Sequence, residues 1–253
     1  MILEQFSLKG KVALVTGSSR GLGEGIARAL AEAGANVAVH GSRSVPAAVV
    51  KRIEAVGVRA MGLAGDVSKA EVCASLVEQV VGHFGAIDIL VNNAGTIRRA
   101  PTLEHSDEDW QTVLSTNLSS VFYLTKAAGR HMVPRGRGKI INIASLLTFQ
   151  GGITVPSYAA AKGGVGQLTK AFANEWAAKG VNVNAIAPGY METDNTEALR
   201  ANPERSRQIL ERIPASRWGT PEDLAGAAVF LASAASDYIH GHVLVVDGGW
   251  LSR

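Results

Sequence analysis

The sequence predicts the α/β class, with one parallel β-sheet of seven strands wound so that helices cover both faces. Three observations carry that expectation. Short β-branched runs alternate along the whole chain with segments whose apolar residues recur at helical spacing. A glycine-rich stretch, Gly17-Ser-Ser-Arg-Gly-Leu-Gly23, stands between the first such run and the first helical segment. No linker or internal repeat divides the 253 residues, so residues 1–253 read as a single domain. A domain of that size buries about 70–75% of its unfolded surface, enough for a core without staples.

The totals narrow the function classes. With 47% apolar and 19% charged residues the chain is globular, not disordered. The net charge of +3 is spread over mixed signs, which gives no clustered basic face for nucleic acid but suits an anionic cofactor and substrate. Cys73 is the one cysteine and the six histidines are scattered, so neither a disulfide nor a metal site is expected. That cysteine usage and the lack of an apolar run in residues 1–11 suit a cytoplasmic protein. The uncharged run 140–161 has the length of a membrane span, but Asn142, Gln150, Gly151, Gly152 and Pro156 interrupt it. It reads better as a strand, a loop and a helix start.

Taken in order, residues 11–16 form a strand by length and β-branching, and Ile26, Ala27, Leu30 and Ala31 mark the helix after it. Glycines at this junction let the backbone approach a pyrophosphate lying at the helix N-terminus, so Gly17, Ser19, Arg20, Gly21, Leu22 and Gly23 are candidate cofactor residues. Residues 36–40 form the second strand. An acidic residue commonly ends this strand to hold the ribose of NAD; here the end reads His40-Gly-Ser-Arg43. Arg20, Ser42 and Arg43, with no carboxylate beside them, favour a 2′-phosphate and hence NADP(H). NAD(H) stays open if Arg43 is a solvated loop cation.

A helix over 46–56 and a strand over 58–63 lead to Asp66 and Val67, a strand end suited to the adenine. Ser68 and Glu71 have the spacing of a capping box for the next helix. Residues 87–91 form the fourth strand, closed by Asn92-Asn-Ala-Gly95, small residues where open α/β sheets bind ligands. Ser106 caps a helix that runs from Trp110 to Leu124 and carries Asn117 within its apolar pattern. Residues 139–144 form the fifth strand and end at Ser145. Tyr158 and Lys162 begin a helix that reaches Trp176, and residues 181–187 make the sixth strand, stopped by Pro188-Gly189. Thr220-Pro221 opens a last helix to Ala232, and residues 243–246 form the last strand.

Tyr158-Ala-Ala-Ala-Lys162 is the chemical centre of this layout. One helical turn of about 5.4 Å puts phenol and ammonium on the same face. A cation beside a phenol stabilises phenolate and brings its pKa down from about 10 toward the working range. Tyr158 can then exchange a proton with a carbinol or carbonyl while hydride moves to or from a nicotinamide. Lys162 can also reach the cofactor ribose, Ser145 can orient the substrate oxygen, and Asn117 could hold a water linking Lys162 to solvent.

With these motifs the sequence strongly resembles the short-chain dehydrogenase/reductase family. Thr16-Gly-Ser-Ser-Arg-Gly-Leu-Gly23, Asn92-Asn-Ala-Gly95, Tyr158…Lys162 and Pro188-Gly189 match the family's motifs over essentially the whole chain from Lys11. The resemblance implies a Rossmann-type fold and a catalytic tetrad of Asn117, Ser145, Tyr158 and Lys162. It implies cofactor contacts from Asp66, Val67, Asn93, Ala94, Gly95, Pro188, Gly189, Met191 and Thr193, and a homotetramer. A narrower resemblance rests on Asn92–Arg99, Phe149–Ile153, Ala187–Met191 and Arg217-Trp-Gly219, and points to the 2-deoxy-D-gluconate 3-dehydrogenase group, which acts on sugar acids and is usually associated with NAD(H). Arg98 or Arg99 could hold such a substrate's carboxylate bidentately, with Leu147, Gln150 and Tyr190 as further substrate-side candidates. Two other functions fit the same motifs: a 3-oxoacyl-thioester reductase and a non-catalytic dinucleotide-binding sensor.

Overall fold

The computed structural model of the protein describes all residues, Met1–Arg253, and its centre is one seven-stranded parallel sheet in the order β3-β2-β1-β4-β5-β6-β7. The strands are β1 (Val12–Val15), β2 (Asn36–Gly41), β3 (Ala60–Ala64), β4 (Ile89–Asn92), β5 (Gly138–Ile143), β6 (Val181–Pro188) and β7 (Val243–Val246). Sequence order reverses direction across the sheet between β1 and β4. In a parallel sheet that reversal leaves a crevice at the carboxyl ends of the two strands, where ligands bind.

Strand side chains alternate in direction, so each strand feeds two cores. Ala13, Val15, Val37, Val39, Ile89, Val91, Ile141 and Ile143 pack on one face, under α1 (Gly21–Glu32), α2 (Ala47–Glu54) and α9 (Ala225–Ala232). Val12, Leu14, Ala38, Leu90 and Ile140 pack on the other, under α3 (Ala70–Phe84), α5 (Ser120–Met132) and α6 (Pro156–Trp176). The strands thus read as unbroken apolar runs because both their faces are covered. The polar residues they bury are paired across elements. The Asn92 amide donates to Asn142 (2.8 Å) and Thr125 (3.1 Å), and the Asn142 amide donates to Thr169 (2.9 Å). This chain of bonds fixes β4 and β5 against α5 and α6, the two elements that flank the crevice.

The expected fold class is borne out, while local details differ. Ser68 does not cap α3: its N–H donates to the Asp66 carboxylate (3.0 Å) and its hydroxyl is engaged there too, so Lys69 becomes the capping position. Ser106 does cap α4 (Asp107–Leu114), accepting from Asp109 N–H (3.1 Å). The single helix expected through Asn117 is interrupted by a π turn, Ser115–Ser119, that joins α4 to α5. Such turns insert one extra residue into the helix and re-aim the side chains around it. After Thr220 the chain makes a 3-10 turn, Pro221–Leu224, before α9. Two helices were not expected, α7 (Glu197–Arg200) and α8 (Pro203–Arg212). Asn202 caps α8 through Arg205 N–H (3.0 Å) with Pro203 at its first position, a start signal legible in Asn-Pro-Glu but outweighed by the charge of the segment. No helix is long and apolar enough to cross a membrane, and the run 140–161 is divided among β5, a 3-10 turn and the start of α6.

Candidate active site

The crevice is built around Thr16, fully buried at the end of β1. Its hydroxyl accepts from Asn93 N–H and Ala94 N–H (3.1 Å each), and the Asn93 amide donates back to Thr16 O (2.9 Å) and Gly17 O (3.0 Å). The glycine loop and the loop after β4 are thereby tied together. The approach is so close that a Cβ on Gly17 would lie 2.8 Å from Ala94 Cα, and Gly17 has φ +62°, a region in which glycine is unstrained. A Cβ on Gly23 would meet Asn93 Nδ2 at 2.4 Å. From this junction α1 departs with its first amides lacking partners inside the helix, which suits an anionic group at its N-terminus.

A cavity of about 580 Å³ opens there, lined by Gly17, Ser19, Arg20, Gly21, Leu22, Gly23, Ser42, Arg43, Asp66, Val67, Asn93, Ala94, Gly95, Tyr158, Lys162 and Thr193. Nearly all the expected cofactor residues are therefore brought together. Its charged walls hold Arg20, Arg43, Arg98 and Lys162 against Asp66 and Asp194, a cationic balance that fits a dinucleotide with an extra phosphate. Arg43 makes no ion pair, whereas Arg20 Nε lies 2.8 Å from the Asp194 carboxylate across the cleft. Pro188 and Gly189 line the neighbouring cavity instead, and Met191 is buried (3% exposed) beside a smaller void with Arg217. Met191 packs in the core because its backbone bridges to Gly219, which turns the side chain away from the cleft.

His40 was noticed in the sequence only as a missing carboxylate. Its buried ring spans two loops: Nδ1 accepts from Gly17 N–H (3.1 Å) and Nε2 lies 2.9 Å from Gly65 O. Those partners require the neutral ring with its proton on Nε2, a tautomer assigned from the bonds it makes. Burial holds the pKa of His40 below its ordinary value, with the Gly65 carbonyl partly opposing.

Ser145 follows β5 with its hydroxyl accepting from Leu147 N–H (3.2 Å), and its segment is held to α6 by Thr148, whose hydroxyl donates to Lys162 O (3.0 Å). Tyr158 lies one turn from Lys162 on α6, and Lys162 Nζ is 5.6 Å from the phenol ring's centre. That ammonium donates to Ile143 O (2.5 Å), and burial pushes its pKa down to about 8. The expectation that Lys162 lowers the Tyr158 pKa is not met: burial raises it, and the groups pulling it back are the Ser145 hydroxyl and the charge of Arg99. Asn117 differs as well. Its fully buried amide bonds the Thr96 backbone, accepting from N–H and donating to O (2.8 Å each), so the side chain fixes the loop after β4.

A second cavity, about 730 Å³, shares Tyr158 with the first and is lined by Ser145, Leu147, Gln150, Tyr190 and Arg99, as expected of a substrate site. Arg98 is not among them. Its Nε is 3.1 Å from the Asp109 carboxylate and it faces the first cavity, because consecutive residues on an extended loop point to opposite sides. Arg99 donates to Asn195 O (3.2 Å), which ties this loop to the segment before α7. Asn195, Arg205, Gln208, Arg212 and Trp250 also line the second cavity and were missed. They come from the turn before α7, from α8 and from the C-terminal turn, and only the fold brings them to Tyr158. The lining includes three arginines and no carboxylate.

Known proteins resemble this chain over its whole length. The family described as Enoyl-(Acyl carrier protein) reductase matches residues 17–251. The 2-dehydro-3-deoxy-D-gluconate 5-dehydrogenase of Escherichia coli K12 is 54% identical, covering 100% of both chains. An Agrobacterium tumefaciens structure with bound NADP, described as a 2-deoxy-D-gluconate 3-dehydrogenase, is 54% identical with a TM-score of 0.90 over 98% of this chain and 99% of that one. A gluconate 5-dehydrogenase of Burkholderia cenocepacia, in complex with NADP and tartrate, is 42% identical with a TM-score of 0.96 over 100% of both.

The His40 geometry predicts an acid limb. Because the folded-state pKa lies below the ordinary 6.5, the neutral ring contributes its full stability above 6.5 and loses it as pH falls through the lower folded value. Urea midpoints measured against pH should drop below about pH 6 in the wild type, and His40→Asn should flatten that part of the curve. An identical acid limb in the variant would remove His40 as its source.

Proposed function

The chain belongs to the short-chain dehydrogenase/reductase family, and from that premise we propose that it is an NADP(H)-dependent oxidoreductase acting on a secondary alcohol or ketone of a sugar acid. One observation carries the substrate class. The cavity that opens on Tyr158 and Ser145 is lined by Arg99, Arg205 and Arg212 and by no acidic residue. Such a wall raises the local concentration of anions. The names of the relatives, gluconate and deoxygluconate dehydrogenases, agree with this reading.

NADP(H), bound in the cavity over the glycine loop, supplies the hydride acceptor or donor. Arg43 and Ser42 hold its 2′-phosphate, α1 presents its N-terminus to the pyrophosphate, and Asp66 and Val67 border the adenine. Tyr158 moves the proton at the substrate oxygen. In reduction the raised pKa keeps the phenol protonated and able to donate; in oxidation Ser145 and Arg99 favour its release. Ser145 orients the reacting oxygen, Lys162 holds the ribose side of the cleft, and Asn117 fixes the loop through Thr96. Residues 1–253 act as one catalytic domain in the cytoplasm, in keeping with the buried, unpaired Cys73. A homotetramer paired through α4, α5 and α6 would cover Trp110 of α4 and Phe122 of α5, which are 40% and 39% exposed.

Steady-state kinetics with gluconate or 2-deoxygluconate and NADP⁺ test the assignment. Tyr158→Phe should lower kcat by at least about 10²-fold, the scale of general acid–base catalysis, and a rate near wild type would take Tyr158 out of the mechanism. Arg43→Ala should raise the KM for NADPH about tenfold or more relative to NADH, and by more than Arg20→Ala, since Arg20 already has Asp194 as a partner. Equal losses for both cofactors would return the preference to NAD(H).

A further inference from the structure

The three arginines of the substrate cavity are not equivalent. Arg99 stands at the junction of the two cavities, bonded to Asn195, which lines both, and its charge acts on the Tyr158 phenol. Arg205 is exposed on α8 and donates to Gln208 Oε1 (3.2 Å). Arg212, the last residue of α8, is exposed as well, but it lines the substrate cavity and not the cofactor cavity, and its guanidinium enters no ion pair or hydrogen bond with the protein.

Arg212 is nevertheless held in place. Its guanidinium carbon sits 4.0 Å from the centre of the Trp250 ring. A guanidinium stacked on an aromatic face keeps its N–H edge free for a planar, bidentate acceptor and has already given up side-chain freedom. Trp250 in turn is 5% exposed and lies 4.6 Å from Tyr190, centre to centre. The turn that carries it is closed by Asp247, whose carboxylate accepts from Gly249 N–H and Leu251 N–H (2.8 Å each). Arg253 Nε donates to Arg212 O (3.1 Å), so α8 and the C-terminal turn brace each other. The buried Trp250 indole N–H has no acceptor within the protein.

We propose that Arg212, stacked on Trp250, is the carboxylate-binding residue of this cavity, and that it holds the acid end of the substrate away from Tyr158. This rests on the sugar-acid reading above and adds a regiochemical consequence. With the carboxylate on the α8 wall, the carbinol presented to Tyr158 is the one toward the opposite end of the carbon chain. That carbon loses its hydride to the nicotinamide and its hydroxyl proton to Tyr158 as its C–O bond becomes C=O. For 2-deoxygluconate the product is then the 5-ketone and not the 3-ketone, the two positions between which the relatives' names divide.

The test compares wild type, Arg212→Gln, Arg212→Lys and Arg99→Gln, with NADP⁺ and gluconate, 2-deoxygluconate or glucitol as substrate. Arg212→Gln should raise the gluconate KM by about 10- to 100-fold with a much smaller change in kcat, the effect of removing a charged hydrogen-bonding pair. Arg212→Lys, which keeps the charge and loses the fork, should fall between. Nuclear magnetic resonance of the 2-deoxygluconate product should show oxidation at C5. An unchanged KM in Arg212→Gln, a KM loss confined to Arg99→Gln, or oxidation at C3 would overturn the proposal while leaving the sugar-acid reading intact. A wild type that uses glucitol as well as gluconate would overturn both.

Discussion

Everything at this site depends on the bonds between Thr16 and Asn93. They join the end of β1 to the end of β4, the one place where the sheet reverses its strand order. Neither loop could hold its shape alone, since each carries backbone polar groups at the mouth of an open crevice. Paired, they satisfy one another, and the glycine loop is pressed onto the loop after β4 at distances no Cβ would allow. His40 extends the same brace to Gly65 and Asn117 extends it to Thr96. Four strand ends and one helix turn therefore reach the cleft as a single preorganised surface.

Charge then divides the cleft into two working regions that meet at Tyr158. The cavity over the glycine loop mixes cations with Asp66 and Asp194, while the charged side chains of the second cavity are arginines alone. Burial raises the phenol's pKa and lowers that of Lys162 to about 8, so at neutral pH the phenol stays protonated and the lysine is still mostly an ammonium. The counterweights on Tyr158 are Ser145 and Arg99, one from each flank of the substrate cavity. The Tyr158 phenol is thus tuned by groups that line the second cavity.

The sequence revealed what is local and periodic. Strands buried on both faces leave β-branched runs, a loop pressed against another loop leaves glycines at Gly17 and Gly23, and a one-turn pair leaves Tyr158 and Lys162 four apart. What it concealed depends on side-chain direction or on distant segments. Nothing in Arg98-Arg99 tells which of the two faces the substrate, because that follows from the path of the loop and from Asp109. The π turn at Asn117 keeps a helical composition while changing the side chain's partner. Arg212 and Trp250, separated by 37 intervening residues, meet only through β7 and the C-terminal turn, and no motif joins them.

An arginine-lined cavity should make this oxidoreductase select an anionic substrate. The most direct measurement is the ratio of kcat/KM for a sugar acid to that for the matching polyol, with NADP⁺ saturating, at low and high salt. The acid should be preferred by about 10²-fold or more at low salt, and the preference should shrink as salt screens the arginines. Equal turnover of acid and polyol at both salt concentrations would contradict it.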